Sequence, residues 1–167
     1  MNKPVIIAVG FSRPNSLLRL LTSINNASFD DNDIELIITL DGGAKKEVAE
    51  IALQFNFKHG NKTLVQRDKN IGLREHILWC GDQTKKYQSV IILEDDLFVD
   101  CHFYRYAQHA INAYKDSDKL AGIALYSPRR NEYLDKSGRM GSGPDSDLGM
   151  EMPPKRRLKT VIFCLRL

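Results

Sequence analysis

No stretch of this 167-residue sequence stays apolar long enough to cross a bilayer: runs such as Val5 to Val9 and Ser89 to Leu93 stop far short of the ~18 residues that a spanning helix needs. No secretory leader is expected either. Met1 to Lys3 lead straight into a short apolar segment broken by Gly10, Ser12, Arg13 and Pro14, with neither the length nor the cleavage site of a signal peptide. The resulting expectation is a cytoplasmic location without a transmembrane segment, peripheral association with a membrane surface being left open. Cysteine is scarce: Cys80, Cys101 and Cys164 are odd in number, far apart and free of CxxC spacing, which excludes a disulfide framework and argues against a zinc site. Charge of one sign is scarce as well, the net being +3, much of it from Lys155, Arg156, Arg157 and Lys159. No aromatic platform accompanies that cluster, so no nucleic-acid partner is expected. What is present is ordinary for a folded domain: 43% hydrophobic and 27% charged residues exclude disorder, and the length suits one compact core rather than two.

Short β-branched runs alternate with helical stripes. Pro4 to Gly10 reads as a strand buried on both faces, as strands of parallel sheets are. Pro14 then opens a helix whose apolar residues Leu17, Leu20, Leu21 and Ile24 recur at i, i+3, i+4 and i+7, with Asn25-Asn26 at its end. Ile34 to Leu40 is a second strand, closed by Asp41-Gly42-Gly43, and Val48, Ile51, Ala52 and Phe55 mark a second helix. Thr63 to Gln66 reads as a third strand and Leu73, His76, Ile77 and Cys80 as the stripe of a third helix. A fourth strand, Ser89 to Leu93, runs directly into Glu94-Asp95-Asp96. Phe103, Tyr106, Ala107, Ala110, Ile111 and Tyr114 form the next stripe, and Leu120 to Leu125 suggests a fifth strand. Such alternation implies right-handed crossovers and an α/β, Rossmann-like, mostly parallel sheet with helices on both faces. Past about Ser127 the pattern dissolves into a polar, basic tail, and Thr160 to Leu167 reads either as an edge strand or as a loose hydrophobic end.

In open α/β sheets ligands bind beyond the carboxyl ends of the strands, where the strand-to-helix loops and helix N-termini gather. Arg13 follows the first strand, Asp41 the second, Asn70, Gly72 and Arg74 the third, and Glu94, Asp95 and Asp96 the fourth. Four loops therefore bring polar groups to one rim. Three adjacent carboxylates at the end of a buried strand repel one another and are poorly solvated, which makes a hard divalent cation, Mn²⁺ or Mg²⁺, their natural partner. The plainer reading is that they only favour the start of the next helix. Asp41 is either a turn residue or a carboxylate for the ring N–H of a uracil-type base, with the neighbouring glycines allowing close approach of a ligand. Arg13 is a surface cation or a nucleotide contact. His76 lies on an apolar stripe and is either a packed, hydrogen-bonded core histidine or a nucleotide contact.

The segments PVIIAVGFSRPNSLLRLL, ITLDGGAKKEVAEI, NIGLREHI and VIILEDDLFVDCHFYRYAQHAINAY, in this order over residues 4 to 127, resemble the GT-A glycosyltransferases. Within them the resemblance is to the eukaryotic N-acetylglucosaminyltransferase that acts on the core mannose of N-glycans and to similar bacterial enzymes. It implies a GT-A nucleotide-diphospho-sugar transferase fold over 1–127; the residue pattern itself gives the expectation that 128–167 is an irregular basic tail, the remainder of a domain left incomplete at the C-terminus. The resemblance further implies Asp96 as the direct metal ligand, Glu94 and Asp95 on the ribose and nucleotide side, and Arg13, Asp41 and His76 around the uridine. The partners implied are a nucleotide-sugar donor, most naturally a UDP-sugar, and a glycan or other hydroxyl acceptor. Similar enzymes take their catalytic base from the later half of the fold. Asp135, Asp145 and Asp147 in the tail match no such context, so no base is assigned.

Two other readings compete. A truncated, non-catalytic nucleotide-binding domain would account for the tail. A nucleotidyltransferase would share sheet topology and metal use but typically opens with a glycine-rich phosphate loop, and GFSRPNS is poor in glycine.

Overall fold

The computed structural model describes residues 3–114, 122–124 and 162–165. Its order is β1 (Val5–Gly10), α1 (Pro14–Asn25), β2 (Ile34–Leu40), α2 (Lys46–Gln54), β3 (Gly60–Gln66), α3 (Leu73–Asp82), α4 (Thr84–Tyr87), β4 (Ser89–Glu94), α5 (Phe103–Tyr114), β5 (Gly122–Ala124) and β6 (Ile162–Leu165). The strands form a single sheet in the order β3-β2-β1-β4-β6-β5. From β3 to β4 all neighbours are parallel, whereas β6 is antiparallel to both β4 and β5.

Strand periodicity sorts the core onto two faces. Ile6, Ala8, Leu36, Ile38, Leu40, Ile91 and Leu93 face α1, α2 and α5, whose Leu17, Leu20, Leu21, Ile24, Val48, Ala52, Tyr104, Ala107 and Ile111 are buried against them. Val5, Ile7, Val9, Ile37, Val90 and Ile92 face the other way, toward Cys80, Ile77 and Trp79 of α3 and Tyr87 of α4. Complete burial of a Leu or Ile side chain stabilises by about 1.5–3 kcal/mol, so the four stripe residues of α1 alone anchor that helix firmly. Pro14 takes the first turn of α1, where its missing N–H has no partner to lose. The chain leaves α1 at Asn26, whose N–H bonds to the Thr22 carbonyl at 3.0 Å.

Two expectations are revised. On α5 the buried residues are Tyr104, Ala107, Gln108 and Ile111, while Tyr106 and Tyr114 are exposed. The stripe is rotated because Tyr104 seats its ring against Phe29, with centroids 5.0 Å apart, and donates its hydroxyl to the Pro4 carbonyl at 3.0 Å. At the other end, Ile162–Leu165 is neither an edge strand nor a loose end. It lies between β4 and β5, pairing Ile92 with Ile162 and Ser89 with Leu165, so β5 is the edge. The rest of the proposed tail 128–167, with Asp135, Asp145, Asp147 and the basic cluster, lies outside the described residues.

For the site, the consequence of this topology is register. Gly10 lies beside Leu40 and Val9 beside Glu94, so the carboxyl ends of β1, β2 and β4 open on one edge, with β3 ending one strand further along. Among the described residues no helix is long and apolar enough to cross a membrane.

Candidate functional site

A cavity of about 290 Å³ opens at that edge. Its floor is Val9 and Gly10, and its walls come from four loops: Phe11, Ser12 and Arg13 after β1, Asp41 after β2, Asn70 and Gly72 before α3, and Glu94 and Asp95 at the end of β4. Leu73 and His76 of α3 complete it. Five of the residues picked out by the sequence, Arg13, Asp41, His76, Glu94 and Asp95, thus line one cavity. Asp96 is not part of the lining but is tied to it through Arg13, whose guanidinium reaches Asp95 at 2.5 Å and Asp96 at 3.5 Å. Arg74 stands apart, well exposed and paired with Glu75 at 3.0 Å.

The acidic segment is held from below by α1. Arg19 donates to the Asp96 backbone carbonyl at 3.0 Å, and the Ser23 hydroxyl accepts the Val99 N–H at 3.2 Å while donating to the Leu20 carbonyl at 2.7 Å. Burial pushes the Glu94 carboxyl up to about 7, and the neighbouring Asp96 and Asp95 charges add to the shift against the opposing pull of Arg13. Asp95 also lies above its ordinary value. There burial outweighs the lowering by the Arg13 ion pair and by the Phe11 backbone N–H. One oxygen of Asp96, Oδ1, is buried without any hydrogen-bond partner.

Those observations bear on the divalent ion that the sequence suggested. Among the described residues no three acidic, histidine or cysteine side chains converge into a ready cage. Mg²⁺ and Mn²⁺ commonly use only one or two carboxylates and complete their shell with water and phosphate oxygens. An unsatisfied, buried carboxylate oxygen on Asp96, beside two carboxyls held above their ordinary range, is a donor set that fits such an ion, since a buried acceptor without a partner costs about 1–3 kcal/mol.

On the opposite wall, Asp41 is buried and its carboxylate accepts three backbone N–H groups. Gly42 N–H reaches Oδ1 at 2.9 Å, Gly72 N–H reaches Oδ2 at 2.9 Å, and Ile71 N–H is shared between them at 3.0 and 3.2 Å. Burial alone would raise its pKa, but these bonds from Ile71, Gly42 and Gly72 together bring it below the ordinary aspartate value. Gly42 is needed for a different reason from the expected approach of a ligand. A Cβ there would fall 2.1 Å from the Lys69 carbonyl carbon and 2.4 Å from the Asn70 nitrogen, so it is the β3–α3 loop that approaches closely. Gly72, with φ of 81°, turns that loop into α3 and is bonded a second time by Asn70 Oδ1 at 2.9 Å.

His76 is both things at once: a buried, hydrogen-bonded histidine on the sheet face of α3, and part of the cavity wall. Its Nε2 lies 2.8 Å from the Thr39 hydroxyl. Burial lowers its pKa, as does Arg67, against the opposing effect of Asp41, so the ring is neutral at pH 7 and acts through hydrogen bonding. Thr39, Phe11 and the supporting Arg19 and Ser23 were not singled out in the sequence, and Leu73, read there as part of the apolar stripe of α3, is instead exposed at the cavity. Thr39 carried a signal, a lone hydroxyl near the end of the apolar run Ile34–Leu40; the others look like ordinary loop and helix residues.

No protein-family model matches the sequence, and no curated protein matches it either. Solved structures do. S. aureus TarS crystallised with UDP is similar with a TM-score of 0.54 at 15% identity, over 67% of this chain and 33% of that one. The same TarS fragment in a second crystal structure gives 0.54 at 12% identity, over 80% of this chain and 40% of that one. The complex with UDP-GlcNAc gives 0.51 at 15% identity over 67% and 32%. The chain thus spans between about a third and two fifths of the length of these three structures. At this level the likeness shows the fold alone, a Rossmann-like α/β fold shared with those structures.

Proposed function

We propose that the chain is the donor-binding part of a glycosyltransferase that moves a sugar from a nucleotide diphosphate, a UDP-sugar, to a hydroxyl acceptor. The observation that carries this reading is the convergence of Arg13, Asp41, His76, Glu94 and Asp95 on one cavity at the carboxyl edge of the sheet, with Asp96 behind Arg13. It draws further support from the fold being shared with TarS structures that hold UDP and UDP-GlcNAc. Arg13 and His76 would form the uridine end of the pocket, with Asp41 in the same wall, and Glu94 and Asp95 the ribose side.

Transfer to a hydroxyl breaks the bond between the sugar carbon and the diphosphate, and the negative charge left on the departing phosphates dominates the barrier. Asp96, with its unpartnered oxygen, would hold Mn²⁺ or Mg²⁺, which when bound supplies Lewis-acid stabilisation of those phosphates. The side chains themselves bind and orient: a neutral His76 offers a hydrogen bond without charge, and the Arg13 guanidinium restrains Asp95 and Asp96. The acceptor site and the catalytic base are not assigned to any described residue. Equilibrium binding of a nucleotide-sugar panel to this chain, UDP-GlcNAc, UDP-glucose, GDP-mannose and CMP-sialic acid with Mn²⁺ present, tests the proposal. Preference for the UDP-sugars supports it, and equal or absent binding across the panel contradicts it.

A further inference from the structure

Resting on that reading of the cavity, we infer that Asp41 is a positioning residue: it latches the β3–α3 loop, and thereby the wall made by Asn70, Gly72 and His76, instead of contacting the nucleobase. A carboxylate has about four acceptor directions, two on each oxygen. In Asp41 three backbone N–H donors already share these directions, Gly42 on Oδ1, Gly72 on Oδ2 and Ile71 between the two. The carboxylate is therefore committed chiefly to the backbone, and a ring N–H of a base would have to compete with the shared Ile71 donor for the one direction that remains. The partners are also distant in sequence, since Ile71 and Gly72 lie 30 and 31 residues from Asp41. The bonds therefore define tertiary structure and not merely a local turn.

The surroundings are built for the same contact. Gly42 lacks the Cβ that would strike the backbone of Lys69 and Asn70, and Gly72 turns there in a left-handed conformation open to glycine. The Gly72 N–H is bonded by Asp41 and again by Asn70, and its carbonyl accepts the His76 N–H at 3.0 Å as the first turn of α3 closes. Moving this loop moves the first turn of α3, and with it the imidazole that meets Thr39.

Two variants of the full chain separate latch from base contact. Asp41→Asn keeps the size but presents an NH₂ group to N–H donors. Gly42→Ala leaves the carboxylate intact and pushes the docked loop away by its Cβ. Amide hydrogen exchange at Ile71 and Gly72, read by NMR, should accelerate in both variants on the order of tenfold or more, as expected for lost hydrogen bonds to a charged acceptor. Affinities for UDP and CDP with Mn²⁺, read by calorimetry, should fall together in both, leaving their ratio unchanged, because cytosine lacks the ring N–H of uracil. Unchanged exchange at those amides in either variant, or a UDP-to-CDP ratio altered by Asp41→Asn alone, overturns the inference. Should Asp41→Asn not fold, Gly42→Ala carries the test. If the unaltered chain binds neither nucleotide, the nucleotide reading of the cavity is what fails, and the exchange rates alone then decide the latch.

Discussion

Replacing Arg13 with alanine should expose how strongly the acidic rim depends on a counter-charge. The guanidinium is about half exposed, but the Asp95 side chain that it meets at 2.5 Å is only 6% exposed, so the substitution strands a buried carboxylate. Breaking a fully buried pair costs ~3–5 kcal/mol; with one partner half in water the expected loss is about 1–2 kcal/mol at pH 7. In a chain of this length that corresponds to a fall in Tm of roughly 2–8 °C. The sign with pH follows from Asp95, which lies above its ordinary 3.8 because burial outweighs the pull of Arg13. Without Arg13 it rises further. A carboxyl raised in the folded state costs stability only above its unfolded value, so the deficit should vanish below about pH 4 and grow as the pH climbs through the folded value. Urea unfolding of both proteins at pH 4 and pH 7 measures this directly, with Arg13→Lys as a control that keeps the charge. Equal stability of Arg13→Ala and the unaltered chain at pH 7, or a deficit of the same size at pH 4, would refute the reasoning.

Other outcomes follow from the same packing. Glu94→Gln should stabilise the chain above pH 7 by up to about 3 kcal/mol, the free energy that corresponds to raising a carboxyl from 4.5 to about 7. In the unaltered protein that stability should drain away as the pH rises across this interval, and a flat difference between the two in thermal melts from pH 4 to 8 would count against the assigned burial. Tyr104→Phe removes the hydroxyl that donates to the buried Pro4 carbonyl and should cost ~1–3 kcal/mol in denaturant unfolding, with no change in nucleotide affinity. Leu20→Ala, in the fully buried stripe of α1, should cost ~2–5 kcal/mol, and a loss below 1 kcal/mol would mean that α1 is not packed as described.

The sequence was most legible where one period repeated without interruption. The run Val5–Gly10 is buried at every position, and all four α1 stripe residues lie in the core, because each element there reports its own environment. On α5 aromatic residues occupy both candidate faces, and a polar residue, Gln108, is buried, so hydrophobicity alone chose the wrong phase between Tyr104 and Tyr106. The place of Ile162–Leu165 between β4 and β5 rests on pairing across some seventy residues, which no local pattern encodes. At the site, residue identities were readable because the ends of parallel strands share an edge. Partner choice was not. That Arg13 bridges Asp95 and Asp96, or that the Asp41 carboxylate is filled by Gly42, Ile71 and Gly72, depends on loops meeting in space.

The central claim is that this rim binds a uridine diphosphate together with a divalent ion at Asp96. Calorimetric titration of UDP into the chain, with Mn²⁺ and then with a chelator, tests it most directly. Binding should be tightened by Mn²⁺ by about tenfold or more, equivalent to about 1.4 kcal/mol, and Asp96→Ala should abolish that gain while leaving the metal-free affinity little changed. UDP binding that ignores both the metal and Asp96, or no UDP binding to the folded chain under either condition, would contradict the account.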